Sequence, residues 1–94
     1  MDTRDAAWQI HFSLHQLAEA HLHDGHVHDE LADAREQYRI HAPGVPDALA
    51  VRIRSVLDEW PTNPAGRLVL LLPVLDDLAE LHGGQLPEFR LPKP

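Results

Sequence analysis

Backbone breakers set the plan of this chain. Asp24-Gly25, Pro43-Gly44-Val45-Pro46, Pro61-Thr62-Asn63-Pro64 and Gly83-Gly84 interrupt it four times. Glycine and proline disfavour a helix interior and favour its ends. The stretches between them run roughly 15 to 20 residues each, an ordinary helix length. Each carries apolar residues at helical rather than alternating spacing.

The first segment runs from Arg4 to His23, with Asp2 or Thr3 as cap and Asp5 in the positive first turn. On a helical wheel Ala7, Trp8, Ile10, Phe12, Leu14, Leu17, Ala18 and Leu22 share one broad face. Gln9, Ser13, Gln16 and Ala20 fall on the other. The second segment, 27–42, has a narrow seam of Val27, Leu31, Ala34, Tyr38 and His41. Continued through Gly25, that seam would emerge on the polar side of the first helix. The phase break predicts a turn at 24–26 and an antiparallel hairpin; one long helix contacting two surfaces is the alternative.

The third segment, 46–60, carries Leu49, Ile53, Val56, Leu57 and Trp60 as its stripe and ends at Pro61. The fourth, 64–82, has Asn63-Pro64 as a start signal and Gly83 as a stop. Leu68, Leu71, Leu72, Leu75, Leu78 and Ala79 face one way, and Pro73 predicts an outward-facing kink. A strand over residues 67–72 is the rival reading, but no second β-like run exists to pair with it.

These segments predict an all-α fold: a four-helix up-down bundle-like domain over residues 1–84 and a short extended tail over 85–94. Trp8, Phe12, Leu31, Tyr38, Leu49, Ile53, Leu57, Trp60, Leu71, Leu75 and Leu78 are the expected core or interface. A 94-residue chain has a thin core and often adds a disulfide, a metal or a partner. Cysteine is absent, which excludes disulfides, thiol catalysis and cysteine-ligated metals. A homodimer is the expected partner state.

Charge narrows the function classes. The net charge is −7, and residues 1–50 hold most of it, with nine acids against three bases. That argues against a phosphate-backbone binder and suits a basic protein partner. The start of the chain lacks a signal-peptide shape, since Asp2, Arg4 and Asp5 precede Trp8, Ile10 and His11. The longest apolar run, 68–75, is too short for a bilayer. A cytoplasmic protein is the expectation.

Histidine is the unusual residue: eight in all, seven of them within the first 41 positions. His21, His23, His26 and His28 with Asp24 crowd the predicted turn. Neutral imidazole is the common ligand of zinc, nickel, cobalt and copper, and a turn can wrap several around one ion. A solvated loop at a helix C-terminus, where imidazolium is favourable, accounts for the same residues. His11 and His15 stand at i, i+4, the spacing of two ligands on one helical face. They lie inside the apolar face, with His41 and His82 on the apolar edges of their helices, so four core-directed histidines could converge on a buried ion; partly buried, hydrogen-bonded or interface histidines are the simpler account.

The turn nearly spells the His-x-His-x-Asp-His motif of metallo-β-lactamase-fold hydrolases, but Asp24 and Gly25 stand transposed and that fold needs a large β-sandwich. Arg35 to His41 is similar to the Arg-x(4–6)-His spacing of HEPN ribonucleases, which are also all-α. That resemblance would imply a ribonuclease; Glu36 departs from it, where the family usually has a neutral polar residue. No Gly-rich phosphate loop or serine nucleophile elbow is present. A small acidic interaction module of the inhibitor, immunity or adaptor type, without catalytic activity, is the first expectation. A histidine-rich transition-metal protein, a sensor, chaperone or store, is the second.

Overall fold

The structure, a computed structural model, describes residues 2–23, 25–84 and 86. It is all-α: α1 (Thr3–Leu22), α2 (Val27–His41), a single 3-10 turn (Ala42–Gly44), α3 (Asp47–Glu59) and α4 (Pro64–His82). No strand occurs among the described residues, and residues 67–72 are helix. No helix among them is long and apolar enough to cross a membrane. The expected tail lies outside the described residues except for Leu86, which is half-buried.

Local chemistry accounts for the helix ends. The Asp2 carboxylate accepts from the Arg4 amide at 3.0 Å and caps α1. At the far end Gly25 donates its amide to the Ala20 carbonyl at 2.8 Å. A Cβ on Gly25 would lie 3.3 Å from the Ala20 Cα, so the tight return into α2 suits glycine. The predicted hairpin is therefore formed, and α1 does not run on through Gly25.

Asn63 caps α4 by accepting the Gly66 amide at 3.1 Å, with Pro64 in the first turn. Asn63→Ala is expected to destabilise the fold by about 1 kcal/mol, read from the urea midpoint. Gly83 ends α4 in the left-handed region at φ 73°, with its amide on the Ala79 carbonyl at 3.1 Å. Gly83→Ala forces a Cβ into that conformation and is expected to cost about 1 kcal/mol in the same measurement, although nothing crowds the site. Helix α4 runs through the exposed Pro73.

α1 packs against both α2 and α4, and α3 closes the other flank of α4. Ile10, Leu14, Leu17, Leu31, Ile53, Leu57, Leu71, Leu75 and Leu78 build one continuous core with Ala6, Ala7, Ala18 and Ala34. Small residues on α1 and α2 let those two backbones approach. Trp60, just past α3, is 1% exposed, and the His21 ring stands edge-on to it at 5.6 Å. Ion pairs Arg52–Asp77 and Arg67–Glu59, both 2.5 Å, bridge α3 and α4. Being exposed in part, each adds a few tenths to ~1 kcal/mol.

The broad face expected on α1 is displaced. Ser13, expected on the polar side, is 1% exposed and donates its hydroxyl to the Ile10 carbonyl at 3.0 Å. Trp8 and Phe12, expected in the core or an interface, stand 39% and 50% exposed. The buried arc centres on Ala6, Ile10, Ser13, Leu14 and Leu17, which leaves both aromatics on the outer edge of α1.

Candidate functional site

Two features of α1 lie side by side: an aromatic ridge facing solvent and a histidine seam facing α4. Trp8 and Phe12, one helical turn apart, stack with ring centroids 5.5 Å apart and planes at 14°. Such a pair is worth about 0.5–1.5 kcal/mol beyond its buried area, and more once covered. Carboxylates flank it along the helix. Asp2 and Asp5 stand exposed on the N-terminal side, and Glu19 two turns beyond Phe12. Glu19 is held by His23 at 3.2 Å and approached by His15 at 3.9 Å.

Arg4, the cation at this end, is committed elsewhere. Its Nε donates to the His82 carbonyl at 2.8 Å, tying the first turn of α1 to the last of α4. Asp2, Arg4, Asp5, Trp8 and His82 line an open cleft of about 260 Å³. The larger groove between α3 and α4, about 530 Å³, is lined by Arg52 and Asp77, which pair with each other. Among the described residues its lining includes no histidine or serine.

The seam begins at His11, which is 4% exposed. Its ring lies 6.0 Å from that of His15 with planes at 20°. Burial, with His15 and His82 adding like charge, pushes the His11 imidazole down to about 4 from the ordinary 6.5; Asp76 of α4 pulls the other way. His11 is therefore neutral at pH 7. The Nδ1 atom of His82 is buried and has no hydrogen-bond partner among the described residues.

No family model matches the chain, and no curated protein or solved structure is significantly similar to it. The geometry of its own residues therefore carries the functional argument.

The histidines singled out from the sequence part into two groups. On the turn, His21 packs on Trp60, His23 pairs with Glu19, and His26 and His28 are exposed. Asp24 lies outside the described residues. On the seam, the His11 and His15 rings lie 6.0 Å apart, and His11 feels the charge of His82 on α4. The half-buried His41 has its Nδ1 buried without a hydrogen-bond partner among the described residues. Among those residues no three histidine, aspartate or glutamate side chains are placed to hold a metal ion.

Arg35 donates to the Leu57 carbonyl at 3.1 Å, which ties α2 to α3. The sequence reading placed Trp8 and Phe12 in the core or an interface and did not foresee them as an exposed ridge. The signal was available in outline: Ala6, Ile10, Ser13 and Leu17 define a tighter face when small residues are counted with large ones.

Proposed function

We propose that this protein is an interaction module that docks a basic partner segment on the Trp8–Phe12 ridge. One observation carries the reading: a stacked tryptophan–phenylalanine pair, 39% and 50% exposed, stands outside a core that fully encloses Trp60. Paired exposed aromatics on one ridge are a typical binding anchor, whereas scattered single apolar residues need no explanation.

The surrounding charge selects the partner. Asp2, Asp5 and Glu19 flank the ridge, and the nearby guanidinium of Arg4 is spent on His82. A lysine- or arginine-bearing segment gains cation–π contact with Trp8 and long-range attraction to a chain of net charge −7. Association is then fast and salt-sensitive.

A pull-down from native host extract tests this, with wild type beside the Trp8→Ser/Phe12→Ser variant at low and physiological salt. The reading requires a basic protein that wild type retains, the double variant loses and salt releases. Equal capture by both chains, or none at either salt, removes it.

A further inference from the structure

The outer face of α3 and α4 shares no residue with the ridge on α1. We propose that this face binds a second copy of the chain, as a twofold dimer that leaves both ridges free.

The face is built around an apolar window. Arg52, Ser55, Val56, Leu70, Pro73 and Val74 line a shallow depression of about 150 Å³ between the two helices. The ion pairs Arg52–Asp77 and Arg67–Glu59 cross from α3 to α4 on either side of Ser55, Val56, Leu70, Pro73 and Val74 in sequence, and so frame the window. Val51 and Val69, the neighbours of Arg52 and Leu70 in the chain, are more exposed than either aromatic of the ridge. Apolar side chains grouped in this way call for a cover, whereas single ones do not. The backbone adds a polar reason. Pro73 has no N–H, so the Val69 carbonyl lacks the amide that would bond it in a regular helix. The exposed Ser55, on the facing helix, carries a hydroxyl donor. In a twofold dimer one copy's donors and acceptors meet the other's, and both copies are served at once.

Charge selects the occupant. Residues 1–50 carry nine acids against three bases, whereas residues 51–94 carry six against five. On this face the cations are matched: Arg52 pairs with Asp77, Arg67 with Glu59, and Arg54 with Asp58 at 3.5 Å. Asp76 and Glu80, the other acids of α4, lie outside the window. A basic segment therefore gains little attraction here, and a like chain meets little repulsion. At the ridge two copies would set Asp2 and Asp5 against the same residues. A chain of net charge −7 meets itself at least cost where its own charges are already balanced. A small core gains cover from such a contact.

Sedimentation equilibrium on the full chain, from about 1 μM to about 1 mM, tests the proposal. Wild type should dimerise within that range. Leu70→Glu puts an unpaired carboxylate into each half of the contact and should raise the dissociation constant at least about tenfold. Trp8→Ser/Phe12→Ser lies at a separate site and should leave the constant within about twofold. Raising salt from about 50 mM to about 500 mM should change it by less than about threefold, in contrast to partner binding at the ridge. Circular dichroism checks that Leu70→Glu keeps its helices; if it does not, Ser55→Glu on the exposed side of α3 brings the same charge to the window and takes its place. A monomer throughout, a dimer that the window variant leaves intact, or a dimer released by salt overturns the proposal. Loss of partner capture at the ridge does not bear on it, since the two surfaces share no residue.

Discussion

His11→Leu is expected to remove a defined share of the acid sensitivity of this fold. The folded chain holds His11 down at about 4, against 6.5 when unfolded. The unfolded chain therefore takes up this proton first as pH falls. The resulting stability is full above about 6.5, drains away between 6.5 and about 4, and changes no further once both states are protonated. A tenfold change in proton affinity is worth about 1.4 kcal/mol, so the full span amounts to ~3 kcal/mol. That is a large part of the margin of a small domain. Urea midpoints for wild type and variant at pH 7 and at about pH 4 measure it. Every other ionisable group is common to both chains, so the difference between them reports His11. Parallel pH profiles for the two would show that His11 is not held neutral by its surroundings.

The Trp8→Ser/Phe12→Ser variant should behave in the opposite way, losing binding while keeping the fold. Both side chains stand outside the core, so their removal is expected to cost only their stacking and partial burial, about 1–2 kcal/mol from urea unfolding. Two aromatic anchors at about 2 kcal/mol each predict a loss of affinity of at least about a hundredfold. Rim substitutions such as Asp5→Asn should instead slow association and reduce its salt dependence. A second copy of this chain is the competing occupant of the ridge. Sedimentation separates the two cases: a wild-type dimer that the double variant dissolves would assign the ridge to self-association.

The helix plan was legible because its punctuation is local. Asn63-Pro64, Gly83 and the Gly25 turn act through the backbone of the residues that carry them, so reading them needs no knowledge of neighbours. Residues 67–72 resolved as helix because Leu68, Leu71, Leu75 and Leu78 share one face. The facing of α1 was less legible, because large apolar residues dominated the wheel while the true contact runs through Ala6, Ala7, Ser13 and Ala18. Small side chains mark close helix approach and weigh little on any hydropathy scale.

The histidine seam was legible only in half. The i, i+4 spacing of His11 and His15 is a local fact. The sequence also set His41 and His82 on apolar edges as possible neighbours, but which of them comes near His11 depends on how α4 returns along α1, and that is His82. The crowding of His21, His23, His26 and His28 drew attention for the reverse reason. They are close in sequence, yet His21 turns in to Trp60, His23 turns to Glu19, and His26 and His28 face solvent.

The position of α1 between α2 and α4 has a consequence for synthesis. One flank of α1 can be covered as soon as α2 has left the ribosome. The other waits for residues 64–82, some forty residues after the end of α1. At about 5–20 residues per second that interval lasts several seconds. During it the nascent chain presents the α4-facing side of α1 together with the aromatic ridge, an apolar surface suited to a holding chaperone. Chains arrested before residue 64 should remain chaperone-bound or be degraded, while chains released after residue 84 should not.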